Sequence, residues 1–193
     1  MVDAAAALFL EGGYGATTMD AISERADVPA ATVYRLFVSK HGILKALLDV
    51  SIVGDDEEVP MAERPPVQSL LADPDPREQL AGFVKIAAQV NARVAPMYRI
   101  LVSAAGSDQD AAAILDELTR QRQNGQRVIA RSLARAGALR PELRERDAAD
   151  LIHALMSPEM YRLLVLDRGW KRDRYQGWLT TALVQQLLPP TID

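Results

Sequence analysis

Apolar residues recur along this chain at three- and four-residue intervals almost from end to end, and runs of strict apolar–polar alternation are missing. That spacing belongs to helices packed by one face, and the shortage of β-branched and aromatic runs argues against a sheet. The pattern resolves into about nine helices. The first covers about Val2 to Glu11 and ends at "GGYG", where Gly13 suits a left-handed cap. The second covers about Thr18 to Ala26, with Thr17 as its cap and Asp20 completing a short capping box. "DVPA" makes a corner. A third helix spans about Ala30 to Phe37, and Ser39 caps a fourth over "KHGILKALLDVSIV".

The pattern then breaks. "GDDEEVPMAERPPVQSLLADPDP" is rich in acid and proline, the composition of a connector, with room for a helical turn at "VQSLLA". Longer amphipathic segments follow. "REQLAGFVKIAAQVNARV" sets Leu80, Phe83, Ala87, Val90 and Val94 on one stripe, and a short separate helix is expected to start at Pro96. The longest segment, "DQDAAAILDELTRQRQNGQRVIARSLARA", runs to the stop formed by Gly137 and Pro141. "RDAADLIHALMSPEMYRLLVLDR" should bend or restart at Pro158 with Ser157 as cap, and "DRYQGWLTTALVQQLL" closes the fold. The expected architecture is all-α: a compact head in residues 1–53, an acidic connector in 54–76 and a larger bundle in 77–193.

Within the head, Ile22, Ala26, Val28, Val33 and Phe37 are spaced to form a small core across the corner, leaving Thr32, Tyr34 and Arg35 to point outward. Two structures share this pattern. One is an ordinary helical hairpin. The other is a helix-turn-helix, which lays one helix across the DNA backbone and inserts the N-terminal end of the next into the major groove. Residue identities separate them. "ALFLEGGYGATTMDAISERADVPAATVYRLFVSKHGILKAL" resembles the N-terminal domain of the TetR family of transcriptional regulators: "LF" followed by "GY" and "ATTM", then "TVYRLF", then "SK", in one order over about 40 residues. "SPEMYRLLVLDRGW" and the helix after it resemble C-terminal domains of that family.

The resemblance implies roles by position. Thr18 would hold a phosphate at the start of the second helix. Ala30, Ala31 and Thr32 would form the groove-facing end of the third. Tyr34 would bond a phosphate, Arg35 a phosphate or a base edge, and Lys40 a further phosphate. Two departures stand out. Family members often carry glycine in place of Ala31 and a polar residue in place of Ala30; alanine offers a base only a methyl contact. The family's basic arm before the first helix is also missing, and the native chain is expected to start upstream of Met1, which an intact-mass measurement on native protein would check.

Composition changes this picture at a few points. With 193 residues, nearly half of them apolar, the chain can build a core without staples. The absence of cysteine excludes disulfides, thiolate metal sites and a cysteine nucleophile. The net charge of −4 speaks against nucleic acid, and the head carries Arg25, Arg35, Lys40 and Lys45 against Asp3, Glu11, Asp20, Glu24, Asp27 and Asp49. DNA binding would then rest on about three phosphates per subunit, giving a dimer a log–log salt slope of roughly −5. His41 and His153 lie far apart, no glycine-rich loop follows a strand, and "DDEE" at 55–58 reads as a solvated charge run. Hence no catalytic residue, metal or other cofactor is expected. No run is apolar enough to span a membrane, and the N-terminus lacks the basic region of a signal peptide. A soluble cytoplasmic protein without a membrane partner is expected.

For the bundle, the resemblance implies a homodimer and an effector pocket. The expected dimer stripes are Tyr161, Leu164 and Val165 on one helix and Leu179, Ala182, Leu183 and Gln186 on the next, unless these stripes face the chain's own core. Expected pocket residues are Phe83, Ile86, Val90, Met97, Tyr98, Leu101, Gln121, Asn124, Val128, His153 and Met156. The apolar ones serve equally well as core, His153 as a satisfied core histidine, and Gln121 and Asn124 as solvated residues. The implied function is a ligand-responsive regulator, by the family's habit a repressor, that binds a palindromic operator as a dimer and is released by a small apolar effector. A helical protein that has lost DNA binding and works through protein partners is the alternative; the acidic head and the alanine pair favour it, and the retained Thr18, Thr32, Tyr34 and Lys40 oppose it.

Overall fold

The computed structural model describes residues 1–53 and 63–190. Among them helices are the regular structure and there are no strands. In chain order they are α1 (Val2–Gly12), α2 (Met19–Ala26), α3 (Ala30–Phe37), α4 (Lys40–Val53), α5 (Pro65–Ala72), α6 (Pro76–Ala105), α7 (Gln109–Arg135), α8 (Glu145–Leu155), α9 (Pro158–Tyr161, continuing as π-helix over Arg162–Asp167) and α10 (Arg172–Leu187). None of these is long and apolar enough to cross a membrane. The "DDEE" run lies outside the described residues.

The chain folds as two compact units interleaved along the sequence. One contains α1 to α4 together with residues 93–118; the other contains α5, α6 up to residue 92, and everything from residue 119 onward. The second half of α6 and the start of α7 therefore pack with the head, whereas the sequence pattern had assigned 77–193 to one body.

In the first unit, Ala5, Phe9, Ile22, Val33, Ile43, Leu44 and Leu48 form the core of the head. Ala26, Val28 and Phe37, the other residues expected to join it, are half-buried. Residues 93–118 are tied to the head by polar bonds. The Arg93 guanidinium donates to the carbonyls of Ser51 (2.8 Å) and Ile52 (3.2 Å) at the end of α4. His41 Nδ1 lies 3.2 Å from Asp110 Oδ2 at the start of α7.

In the second unit, α10 buries Tyr175, Leu179, Leu183 and Leu187, one residue per turn. Leu80, Leu133 and Ile152 are equally buried. Ser157 Oγ accepts from Met160 N (3.1 Å), so the restart at Pro158 is capped as the sequence predicted.

Three local expectations are corrected. Thr18, rather than Thr17, caps α2: its Oγ1 accepts from Ala21 N (3.1 Å), while Thr17 is buried and donates to the Gly13 carbonyl (2.9 Å). Gly13 has positive φ (81°) but an extended ψ (161°), so it ends α1 outside the left-handed helical well. Pro96 does not begin a helix; it sits inside α6. Its ring removes one backbone donor. Val94, Ala95, Met97 and Tyr98 around it are all buried, and that packing outweighs the single lost bond.

Candidate nucleic-acid interface

The corner that presents α3 is built from local backbone chemistry. Asp27 adopts the left-handed conformation (φ 52°, ψ 45°) after α2. Its N–H reaches the Glu24 carbonyl and the Val28 N–H reaches the Ser23 carbonyl, the bonding of a Schellman motif. Ser23 Oγ then donates back to the Val28 carbonyl (2.6 Å), so one serine closes the turn. Glycine is the usual residue at such a position; aspartate tolerates it at a modest cost.

At the other end, α3 stops at Val38, which has φ 64° and ψ −40°. Ser39 N–H donates across it to the Phe37 carbonyl (2.6 Å), a γ-turn of the strained hand. α4 starts at once: Ser39 Oγ accepts from Gly42 N (3.3 Å). A Cβ on Gly42 would overlap the Phe37 carbonyl oxygen, so glycine is the residue that lets the first turn of α4 pass the end of α3.

On α3, Val33 is buried, Ala30 and Thr32 are half-buried, and Ala31, Tyr34 and Arg35 are exposed. The expected outward set is therefore on the surface of one helix. Thr18 is exposed at the start of α2; its oxygen accepts from Ala21 N, which leaves its own hydroxyl hydrogen to donate to a phosphate.

Lys40 is held more closely than its expected role implied. Its Nζ donates to the Tyr14 carbonyl (2.7 Å) and sits 4.2 Å from the centre of the Tyr14 ring. Tyr14 is buried against Phe9 and near Asp108 and Asp110, and burial first, then those carboxylates, push its hydroxyl up to about 12. Arg25 makes a two-pronged bond to Glu11 (2.9 and 3.1 Å), which holds the Glu11 carboxyl below its usual range. Lys45 pairs with Asp49 (2.8 Å). Among the described residues, Arg35 is the head cation to which no such bond is assigned.

The residues expected to line a pocket are distributed between the two units. Met97, Tyr98 and Leu101 pack in the first; the others belong to the second. Phe83, Met97, Tyr98, Leu101 and Met156 are buried, Ile86, Val90 and His153 are half-buried, and Gln121, Asn124 and Val128 are exposed, the solvated alternative for the two amides.

The second unit holds buried polar groups that sequence reasoning missed. Asn91 Nδ2 donates to the Met156 carbonyl (3.1 Å). Gln126 Oε1 lies 2.6 Å from His153 Nδ1, and Arg122 donates to the His153 carbonyl (3.2 Å). Burial, and then the Arg122 charge, hold His153 below its ordinary value. The Tyr175 hydroxyl is fully buried without a hydrogen-bond partner at bonding distance, although the Asn91 amide is close enough to act on it electrostatically. A polar residue on the buried side of a long helix carries no distinct sequence signal; the apolar neighbours of Asn91 were the only clue.

The expected dimer stripes need revision. Tyr161, Leu179 and Leu183 are buried within the chain itself, so a partner cannot cover them. Leu164, Val165 and Ala182 are half-buried and Gln186 is exposed. The π-helical turn after Tyr161, bridged by an Arg162–Asp167 ion pair, shifts the register, and Leu163 and Leu166 are the large apolar residues left exposed there.

Residues 1–47 match the family described as bacterial regulatory proteins, tetR family. The same part of the chain is 46% identical over 48 residues to the uncharacterized HTH-type transcriptional regulator YvkB of Bacillus subtilis, a match spanning 25% of each chain. The fold as a whole is shared with NalD, the secondary repressor of the MexAB-OprM multidrug efflux pump in Pseudomonas aeruginosa (TM-score 0.73, 20% identity, 97% of this chain and 93% of that one). It is equally shared with the transcriptional regulator FadR of Bacillus subtilis in complex with stearoyl-CoA (TM-score 0.70, 20% identity, 95% of each). The head thus matches the N-terminal domain of the tetR family of bacterial regulatory proteins from Met1 to Leu47, and the helical fold is shared with NalD and FadR along nearly the whole chain.

Proposed function

We propose that this protein is a ligand-responsive repressor, acting in the cytoplasm, that binds a palindromic DNA operator as a homodimer and is released by a small apolar effector. The observation that carries the reading is the surface of α3. Tyr34 and Arg35 are exposed and Thr32 half-exposed on a helix whose two ends are fixed by the Asp27 and Ser39 turns. Such a surface would enter the major groove, with the Thr18 hydroxyl donating to a flanking phosphate. Residues 1–53 are the reading head, and the second unit, without the 93–118 segment that packs with the head, holds effector and partner.

Two neighbours in fold support effector and repression: NalD is a repressor, and FadR is seen with stearoyl-CoA. The second unit supplies an apolar interior with a few buried polar groups, the make-up of a small-molecule site. Effector binding there acts on DNA affinity through α6, which runs from the second unit into the first and carries Arg93 against the end of α4. A hundredfold loss of DNA affinity needs about 2.7 kcal/mol of coupling. The dimer forms through Leu163, Leu166 and the outer face of α10 near Ala182 and Gln186.

The second reading, a regulator fold that works through protein partners, is favoured by one observation: Arg25, Lys40 and Lys45 are all engaged within the head. Selection of bound sequences from a random DNA pool separates the two. The repressor reading expects a palindromic motif with half-sites about one helical turn apart. Tyr34→Phe and Lys40→Ala should then weaken binding evenly across sequences. No enrichment from the full chain would leave the protein-partner reading.

A further inference from the structure

The large apolar side chains exposed on this protein are not evenly spread. Among the described residues there are nine, and three of them, Tyr34 (47% exposed), Leu36 (51%) and Val38 (78%), fall within five positions at the end of α3. Tyr34 has a role in the proposed function and Val38 ends the helix. Leu36 has neither. About half of it stands outside the head's core, where Val33 takes the inward position.

Helix geometry says where Leu36 stands. At 100° per residue, Ala31 and Arg35 point most directly away from the buried Val33 and half-buried Phe37. Tyr34 flanks them on one side, and Thr32 and Leu36, four residues apart, flank them on the other. Long side chains on a helix lean back toward its N-terminus, so the Leu36 methyls cover the surface one turn nearer to Thr32. That is the end of α3 which enters the groove.

Chemistry then narrows the partner. A leucine offers no hydrogen bond. Of the groups that the four base-pair orientations present in the major groove, the one apolar substituent that projects far enough to pack on is the C5 methyl of thymine. We infer that Leu36 is a specificity-determining residue of this protein, packing on a thymine methyl in each half-site. The inference rests on the repressor reading. It also explains why the helix can lack polar readers at Ala30 and Ala31: base choice depends on methyl contact beside Thr32 and Arg35.

The test uses the full chain and its Leu36→Asn variant, which keeps the shape and removes the apolar surface. Because Leu36 is exposed, the variant should match the parent in circular dichroism and melting temperature. Both proteins are taken through selection from a random duplex pool, and each thymine of the parent's half-site is replaced in turn by deoxyuridine, which lacks only the methyl. The expected result is one half-site thymine whose replacement weakens the parent about fourfold, the worth of one buried methyl, and leaves Leu36→Asn unchanged. Half-sites without such a thymine, or deoxyuridine effects identical in parent and variant, would overturn the assignment while the repressor reading stands. Failure of the parent to enrich any sequence overturns both.

Discussion

The two units keep their conformational tension in different places. In the head it lies in the backbone. Among the described residues, the non-glycine residues with positive φ are Asp27 and Val38, and they flank α3 on either side. Gly42, which passes the Phe37 carbonyl, lies four residues further on. In the second unit the tension lies in side chains: an unsatisfied Tyr175 hydroxyl, and His153 held against protonation. Backbone strain of this kind persists only where surrounding structure over-determines it, so it suits a surface that must be preformed. An unsatisfied buried polar group is a different device. It is relieved by whatever brings it a partner, so it suits a region that must respond.

That contrast can be broken at single residues. The largest effect is expected at Gly42. Gly42→Ala forces the start of α4 off the end of α3 and should lower stability by about 2 kcal/mol in urea titrations. An unchanged midpoint would mean that the helix junction is looser than its geometry implies. Val38→Gly should act in the opposite direction. Val38 is largely exposed, so little packing is lost, and removing its Cβ should raise stability by about 1–2 kcal/mol. Tyr175→Phe is the matching test in the second unit: deleting an unpaired buried hydroxyl should stabilise by about 1 kcal/mol. A loss instead would show that the Asn91 amide already satisfies it.

The smallest effect concerns pH. His153 is held below its ordinary value in the folded chain, so between that lowered value and the unfolded value near 6.5 the unfolded chain binds more protons. Stability should therefore fall as pH drops below about 6.5 and level off once the folded-state value is passed. His153→Gln should flatten this dependence, measured as urea midpoints at pH 7.5 and 5.5.

The head was legible because its determinants are local. Val33 facing inward with Tyr34 and Arg35 exposed, and the Ser39 cap, follow from spacing and residue type alone; the exposure of Leu36 does not. Even there the caps shifted by one residue, since Thr17 and Thr18 are chemically equal and only the loop's need for a bond to Gly13 decides between them. The second unit was legible as helices and less so as surfaces. Proline at the start of a helix and proline inside one look alike in sequence; the burial on both sides of Pro96 distinguishes them. The π-helical turn has no periodic signature, so a stripe drawn at 3.6 residues per turn through Leu164 and Val165 misses the exposed Leu163 and Leu166.

The interleaving of the two units bears on how this protein can be divided. Neither unit is a continuous stretch of chain, because the head packs with residues 93–118. A fragment cut at the acidic connector would carry α1 to α4 yet lose Arg93 and Asp110, the residues that tether α4 to the rest of its own unit. Modules exchanged between proteins of this fold at that junction would each receive half of a packing surface. Chimeras that carry the donor head together with the donor's 93–118 segment, rather than the head alone, are the ones that keep each body intact.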